Sequence, residues 1–154
     1  FYASELSRLG WAVIVPISPD NRSFRGPNVA RVTELIASVQ ERPDVLTGKT
    51  LLAGISAGGM SALEIASQNP GAYFGIMAVP ALVRDSLNLE ALRDMPVYLR
   101  IGSADELGWG AQYDATVEAF EGAGVRLDAD LLFGEPHMFG LDWDRVAVWL
   151  DTLR

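Results

Sequence analysis

The chain has 154 residues, of which 49% are hydrophobic and 21% charged, enough for one globular domain with a substantial core. Twenty acidic residues against twelve basic ones give a net charge of −8, which argues against nucleic acid and anionic membranes as partners. No apolar run approaches the roughly 18 residues that a membrane span requires. The absence of cysteine excludes disulfides, thiolate metal sites and thiol catalysis.

The first third of the chain predicts a helix, a strand and a second helix. Apolar residues recur at helical spacing in residues 1–9, and residues 11–15 are an unbroken apolar run typical of a buried strand. A polar loop over 16–27 follows, after which Asn28 is placed to cap a helix. The apolar face of this helix consists of Val29, Val32, Leu35, Ile36 and Val39.

The rest of the chain alternates strands with helices. Strands are predicted over 50–55, 73–79, 97–101 and 125–131, and helices over 58–68, 89–92, 111–120 and 143–153. The last strand alternates apolar with charged residues, so we expect it near a sheet edge. Strands separated by helices imply βαβ crossovers. The sequence therefore predicts one α/β domain over 1–154, a mainly parallel sheet of about five strands with helices on both faces.

A G-x-S-x-G sequence, Gly54-Ile55-Ser56-Ala57-Gly58, lies where a predicted strand passes into a helix. This context is typical of a nucleophile elbow, in which a strained backbone presents a serine above the sheet. We expect Gly54 and Gly58 to remove side chains that would collide there. The N–H of Ala57, at the positive end of the helix, would face a developing oxyanion.

Two phosphate-binding motifs, the alternatives to a nucleophile elbow, do not fit this turn. Gly58-Gly59-Met60-Ser61 lacks the Gly-Lys-Ser/Thr ending of a phosphate loop. A dinucleotide fingerprint fails as well, because Ser56 occupies the position of its second glycine.

Two more residues supply what a serine nucleophile needs, namely a base to accept its proton and an acid to orient that base. The only histidine, His137, follows the last predicted strand, and Asp105 follows the strand over 97–101, with Glu106 as a weaker alternative. Ser56, Asp105 and His137 thus each follow a different strand. The carboxyl ends of parallel strands share one edge, so the sequence predicts a Ser-His-Asp triad there.

These motifs resemble the α/β-hydrolase superfamily over essentially the whole chain. The similar parts are residues 51–63, Asn69-Pro70, the Gly102-x-x-Asp105 segment and the His137 loop before a last helix. The short sequence Ser56-Ala57-Gly58-Gly59 is most similar to that of esterases of the polyhydroxybutyrate-depolymerase and feruloyl-esterase type, or of related carboxylesterases. The resemblance implies a serine esterase that hydrolyses small-molecule or polymeric esters through an acyl-enzyme, with no metal or organic cofactor.

The resemblance also implies that residues 1–154 are the carboxyl-terminal two-thirds of the family fold. The family's second oxyanion donor lies in a loop after an upstream strand, and neither has a counterpart here. In the family's sheet that strand lies between those matching 11–15 and 50–55. Loss of one such donor typically reduces turnover by about 10²- to 10³-fold. Localisation and oligomeric state stay open.

The surroundings of the predicted site are less defined. Residues 80–95 are too few for a large lid, so we expect a rather open site bordered by Pro80, Trp109, Met138 and Phe139, each of which equally suits the core.

Three other functions are compatible with the sequence. They are a peptidase of the prolyl-oligopeptidase kind, an acyltransferase with the same triad, and a non-catalytic truncated hydrolase domain.

Overall fold

The computed structural model describes residues 2–18 and 22–153, which divide into two compact units. Residues 1–48 and 141–154 belong to the first unit, and residues 49–140 to the second. Phe1, in the predicted first helix, and residues 19–21, in the predicted loop, lie outside the described residues.

The helices are α1 (Ala3–Arg8), α2 (Val29–Gln40), α3 (Ala57–Gln68), α4 (Tyr113–Gly122) and α5 (Trp143–Asp151). The strands are β1 (Thr50–Gly54), β2 (Tyr73–Ala78), β3 (Pro96–Gly102) and β4 (Arg126–Leu132). Short 3₁₀ turns occupy Gly26–Asn28, Pro70–Ala72, Leu89–Leu92 and Gly110–Gln112. None of the described helices combines the length and apolar character needed to cross a membrane.

The second unit is built on a parallel sheet in the order β1-β2-β3-β4. Each strand lies beside the one before it in the chain, so every connection is a crossover, with α3 packed against β1 and β2 and α4 against β4. The apolar side chains of β2 and β3 form the centre of the core. β4 is an edge strand of the described sheet, as its alternating pattern predicts. The prediction of an α/β fold with a parallel sheet is confirmed.

The first unit contains α1, α2 and α5. The predicted apolar face of α2 is only partly buried, since Val29 and Val32 are buried whereas Leu35, Ile36 and Val39 are half-buried. In α5, Val146, Trp149 and Leu150 are buried. Tyr2 and Trp143 pack edge to face, with ring centroids 5.5 Å apart.

Of the three helices in this unit, only α5 has a side-chain N-cap. The Asp142 carboxylate accepts hydrogen bonds from the main-chain N–H groups of Asp144 and Arg145 and so caps α5. Asn28 does not cap α2, because its backbone is already helical and its amide donates to the carbonyl of Ser23 instead. The predicted Asn28 cap is wrong.

The predicted strand over residues 11–15 is not formed. This segment has no regular secondary structure, and Val15 in it is 68% exposed. A strand needs a neighbour whose N–H and C=O groups complement its own, and no strand among residues 2–18 and 22–153 pairs with this segment. The described sheet therefore has four strands, not about five.

Candidate active site

Ser56 lies at the sharp turn between β1 and α3. Its backbone has φ 56° and ψ −118°, a conformation that residues other than glycine rarely adopt. The strain is held by hydrogen bonds on both sides of the turn. The N–H of Ser56 donates to the carbonyl of Pro80 at 2.9 Å, and that of Val79 donates to the carbonyl of Gly54 at 2.9 Å.

The glycines around this turn do not all serve the purpose that the motif suggests. A Cβ on Gly54 would overlap the carbonyl of Gly58, and one on Gly59 would lie 2.6 Å from the carbonyl oxygen of Pro80. A Cβ on Gly58 would meet nothing within 4 Å. Our expectation of a collision at Gly58 is wrong, because Gly58 contributes the backbone that Gly54 must approach. Gly59 is the second glycine that the close packing requires.

The structure brings Ser56, Asp105 and His137 together within the second unit. Nδ1 of His137 lies 2.6 Å from Oδ2 of Asp105, and Nε2 lies 2.9 Å from Oγ of Ser56. An ionised carboxylate only accepts hydrogen bonds, so Nδ1 carries the ring proton and Nε2 is left to accept the proton of the Ser56 hydroxyl. This arrangement has the geometry that a general base needs.

The imidazole of His137 and the carboxylate of Asp105 are both shielded from water. The side chain of Asp105 is fully buried, and its second oxygen accepts a hydrogen bond from the main-chain N–H of Leu107 at 2.7 Å. The His137 side chain is 8% exposed, and Trp109 lies edge-on to its ring, with centroids 4.8 Å apart. The Asp105 contact and the Trp109 ring therefore restrict rotation of the imidazole.

The loop that carries His137 is fastened to the end of β3. The N–H of Ala104 donates to the carbonyl of Glu135 at 2.9 Å, and the N–H of Gly134 donates to Oγ of Ser103 at 2.8 Å. A Cβ on Gly102 would overlap the carbonyl oxygens of the passing loop. The glycine of the Gly102-x-x-Asp105 segment is thus required by the close approach of the loop, which sequence reasoning did not identify.

Glu106 does not replace Asp105 beside the imidazole. Its Oε2 instead accepts a hydrogen bond from the main-chain N–H of His137 at 3.0 Å. That hydrogen bond, followed by one from the main chain of Glu106 itself, lowers the pKa of Glu106. Sequence reasoning missed this contact, and its only sequence signal is the adjacency of the two acids.

Ala57 is the first residue of α3, so no carbonyl within the helix can accept its N–H. Its role as an oxyanion donor stays a prediction.

Of the predicted lining residues, Met138 is 47% exposed and Trp109 contacts the imidazole, whereas Pro80 and Phe139 are buried and offer little surface to a ligand.

No group of three or more His, Cys, Asp or Glu side chains is arranged to hold a metal ion in the described part of the chain. The site contains a hydroxyl hydrogen-bonded to an imidazole, which is hydrogen-bonded in turn to a buried carboxylate. Such a series of groups is able to attack an acyl carbon.

No family model matches the sequence, and no curated protein is significantly similar to it. Solved structures are similar in fold. A carboxylesterase from Bacillus cereus superposes with a TM-score of 0.64 at 16% identity, covering 82% of this chain and 60% of that protein. A carboxylesterase from Mesorhizobium loti gives 0.64 at 21% identity, covering 80% and 59%. Dipeptidyl peptidase 4 from Porphyromonas gingivalis gives 0.66 at 15% identity, covering 80% and 22%.

The chain therefore spans less than two thirds of the length of each of these three proteins. The sheet, the strained turn between its first strand and α3, and these superpositions show that the chain has the α/β-hydrolase fold, of which it covers a part.

Proposed function

We propose that this protein is a serine hydrolase that cleaves carboxylic esters through an acyl-enzyme. The observation that carries the proposal is the unbroken series of contacts from Oγ of Ser56 through the ring of His137 to Asp105, at 2.9 and 2.6 Å. Catalysis by a Ser-His-Asp triad requires these three groups at hydrogen-bonding distance and in this order.

In the first half of the reaction, Oγ of Ser56 attacks the ester carbonyl carbon while Nε2 of His137 takes the hydroxyl proton. The carbonyl oxygen becomes negatively charged and is stabilised by the N–H of Ala57. The tetrahedral intermediate then expels the alcohol, which receives the proton from Nε2, and the acyl group stays on Ser56.

In the second half, His137 removes a proton from water, whose oxygen attacks the acyl carbon. Collapse of this intermediate releases the carboxylic acid and returns the proton to Ser56. Asp105 keeps the proton on Nδ1 throughout and stabilises the imidazolium that forms at each step.

The names of the fold neighbours support an ester substrate more than an amide, because two of the three described above are carboxylesterases. The third is a peptidase, so the same fold also accommodates amide cleavage. Parallel assays with an ester, the matching amide and an added alcohol acceptor separate an esterase from a peptidase and an acyltransferase. We expect the ester to be hydrolysed fastest and water to outcompete the alcohol.

The central test is Ser56→Ala, assayed with a small activated ester such as an acetyl ester of nitrophenol. Removal of a serine nucleophile reduces turnover by up to about 10⁶-fold, so we expect activity to fall below detection. Ser67→Ala is the matched control, because it makes the same change at the far end of α3, where the hydroxyl only bonds the carbonyl of Glu64. Unchanged turnover in Ser56→Ala would reject the proposal.

A fluorophosphonate probe tests the same site without a substrate. It reacts covalently with an activated serine, so we expect the wild-type protein and Ser67→Ala to be labelled and Ser56→Ala to remain unlabelled. A folded wild-type protein that does not react would favour the non-catalytic alternative.

A further inference from the structure

Two consecutive acids contact the same histidine from different sides. Asp105 binds the imidazole at Nδ1, whereas Glu106 binds the main-chain N–H of His137. Although the two residues are adjacent in the chain, Asp105 is buried and Glu106 is exposed to solvent. The Asp105 contact is made to the ring, and the Glu106 contact is made to the backbone from which the ring projects.

The Glu106 contact differs from the other contacts that hold this loop. Those described above attach Gly134 and Glu135 to the end of β3, two or more residues before His137. After His137, Met138 is exposed, and the next buried residue is Phe139. Among the contacts described here for this loop, the hydrogen bond to Glu106 is the one made by the main chain of His137 itself.

We propose that Glu106 is a positioning residue that holds the backbone of His137 so that Nε2 stays within reach of the Ser56 hydroxyl. The inference rests on the proposed function for its effect on turnover, although its effect on the imidazole is independent of any reaction. A misplacement of about 1 Å in a reacting group lowers turnover by about 100-fold. Loss of the Glu106 contact is therefore expected to lower kcat by roughly 10- to 100-fold and to leave KM within about twofold.

A charge effect is the competing explanation, because a carboxylate near an imidazole also stabilises its protonated form. Three variants separate the two explanations. Glu106→Gln keeps the length and an acceptor oxygen but removes the charge, Glu106→Asp keeps the charge but shortens the side chain, and Glu106→Ala removes both. Positioning predicts that Gln retains turnover to within about threefold while Asp and Ala lose it.

Glu118→Ala is the matched control, because Glu118 is an exposed glutamate on α4, outside the site, and its loss should leave kcat unchanged. The thermal unfolding midpoint of each variant shows whether it is folded. If Glu106→Ala does not fold, the comparison of Gln with Asp decides the question. Full activity in Glu106→Ala, or activity retained by Asp and lost by Gln, would overturn the proposal.

A spectroscopic measurement tests the positioning without turnover. His137 is the only histidine in the sequence, so the imidazole signals of an untagged protein belong to it alone. We expect the low-field Nδ1–H proton resonance, which reports the bond to Asp105, to persist in wild type and Glu106→Gln and to broaden in Glu106→Ala.

The two measurements also separate this proposal from the proposed function. If the wild-type protein is inactive and unlabelled by fluorophosphonate, the proposed function fails, and the resonance alone decides the role of Glu106. An unchanged resonance in Glu106→Ala contradicts the positioning role whether or not the protein is active.

Discussion

At the scale of single residues, the contact of Glu106 with the main-chain N–H of His137 makes one part of the site sensitive to acid. The hydrogen bond from that N–H, and then one from the main chain of Glu106 itself, lower the pKa of Glu106 in the folded protein. A carboxyl group whose pKa is lowered by folding stabilises the folded state at pH values above its unfolded pKa. This contribution is lost as the pH falls through the folded pKa.

We therefore expect the amide proton resonance of His137 to titrate with a midpoint below about 4.3, the ordinary pKa of glutamate. The measurement is a pH series of amide spectra, and Glu106→Gln is the control because its side chain does not titrate. A midpoint at or above the ordinary value, or the same titration in Glu106→Gln, would contradict the assignment.

The three residues that meet at the site were predictable from the sequence because each follows a strand whose end lies at a shared edge. The hydrogen bond between Glu106 and the main chain of His137 was not predictable in the same way. The partner of Glu106 is a main-chain N–H 31 residues away, and every residue except proline has such a group. A sequence therefore carries no mark of which N–H a given carboxylate will bind.

At the scale of secondary-structure elements, the turn from β1 to α3 depends on Gly54 more than on Gly58. A Cβ on Gly54 would overlap the backbone of Gly58, whereas a Cβ on Gly58 would contact nothing within 4 Å. We expect Gly54→Ala to reduce the free energy of unfolding by about 2–3 kcal/mol, because the helix must move away from the strand.

Gly58→Ala is the matched substitution for this prediction. Alanine is favoured over glycine inside a helix by about 0.5–1 kcal/mol, so we expect this variant to be as stable as the wild type or slightly more stable. Denaturant unfolding of the two variants provides the measurement. Equal losses of stability in both would mean that the motif glycines act in some other way.

The elements themselves were predictable to different degrees. Three strands of the sheet were predicted from apolar runs bounded by turn residues, and β4 was predicted from its alternation of apolar with charged residues. In the structure each of the four has a neighbour to pair with. Residues 11–15 carry the same kind of apolar run but form no strand, since strand formation also depends on a partner that composition does not reveal. Asn28 shows the same limit for a cap, because the preceding 3₁₀ turn determines its backbone.

At the scale of the whole molecule, the net charge of −8 affects which substrates approach the proposed site. Exposed Glu106 and Glu135 add negative charge near His137. A negatively charged protein slows the approach of anionic ligands, and salt weakens this repulsion because the screening length falls from about 30 Å at 0.01 M to about 10 Å at 0.1 M ionic strength.

For two esters of equal length, one neutral and one with a free carboxylate, we expect kcat/KM to be higher for the neutral ester at low salt. The difference should narrow as salt is added. Initial rates at several ionic strengths measure this effect, with the neutral ester as the internal reference. A preference for the anionic ester that weakens with salt would indicate a local cation at the site that outweighs the overall charge.

The order of the strands in the sheet also bears on when the site is completed during synthesis. β1 to β4 lie side by side in the order in which they are made, and Ser56, which follows β1, leaves the ribosome 81 residues before His137, which follows β4. Until the loop after the last strand is in place, the hydroxyl of Ser56 has no imidazole to accept its proton. A nascent chain therefore carries an unreactive alcohol, and the site becomes complete only when the sheet does.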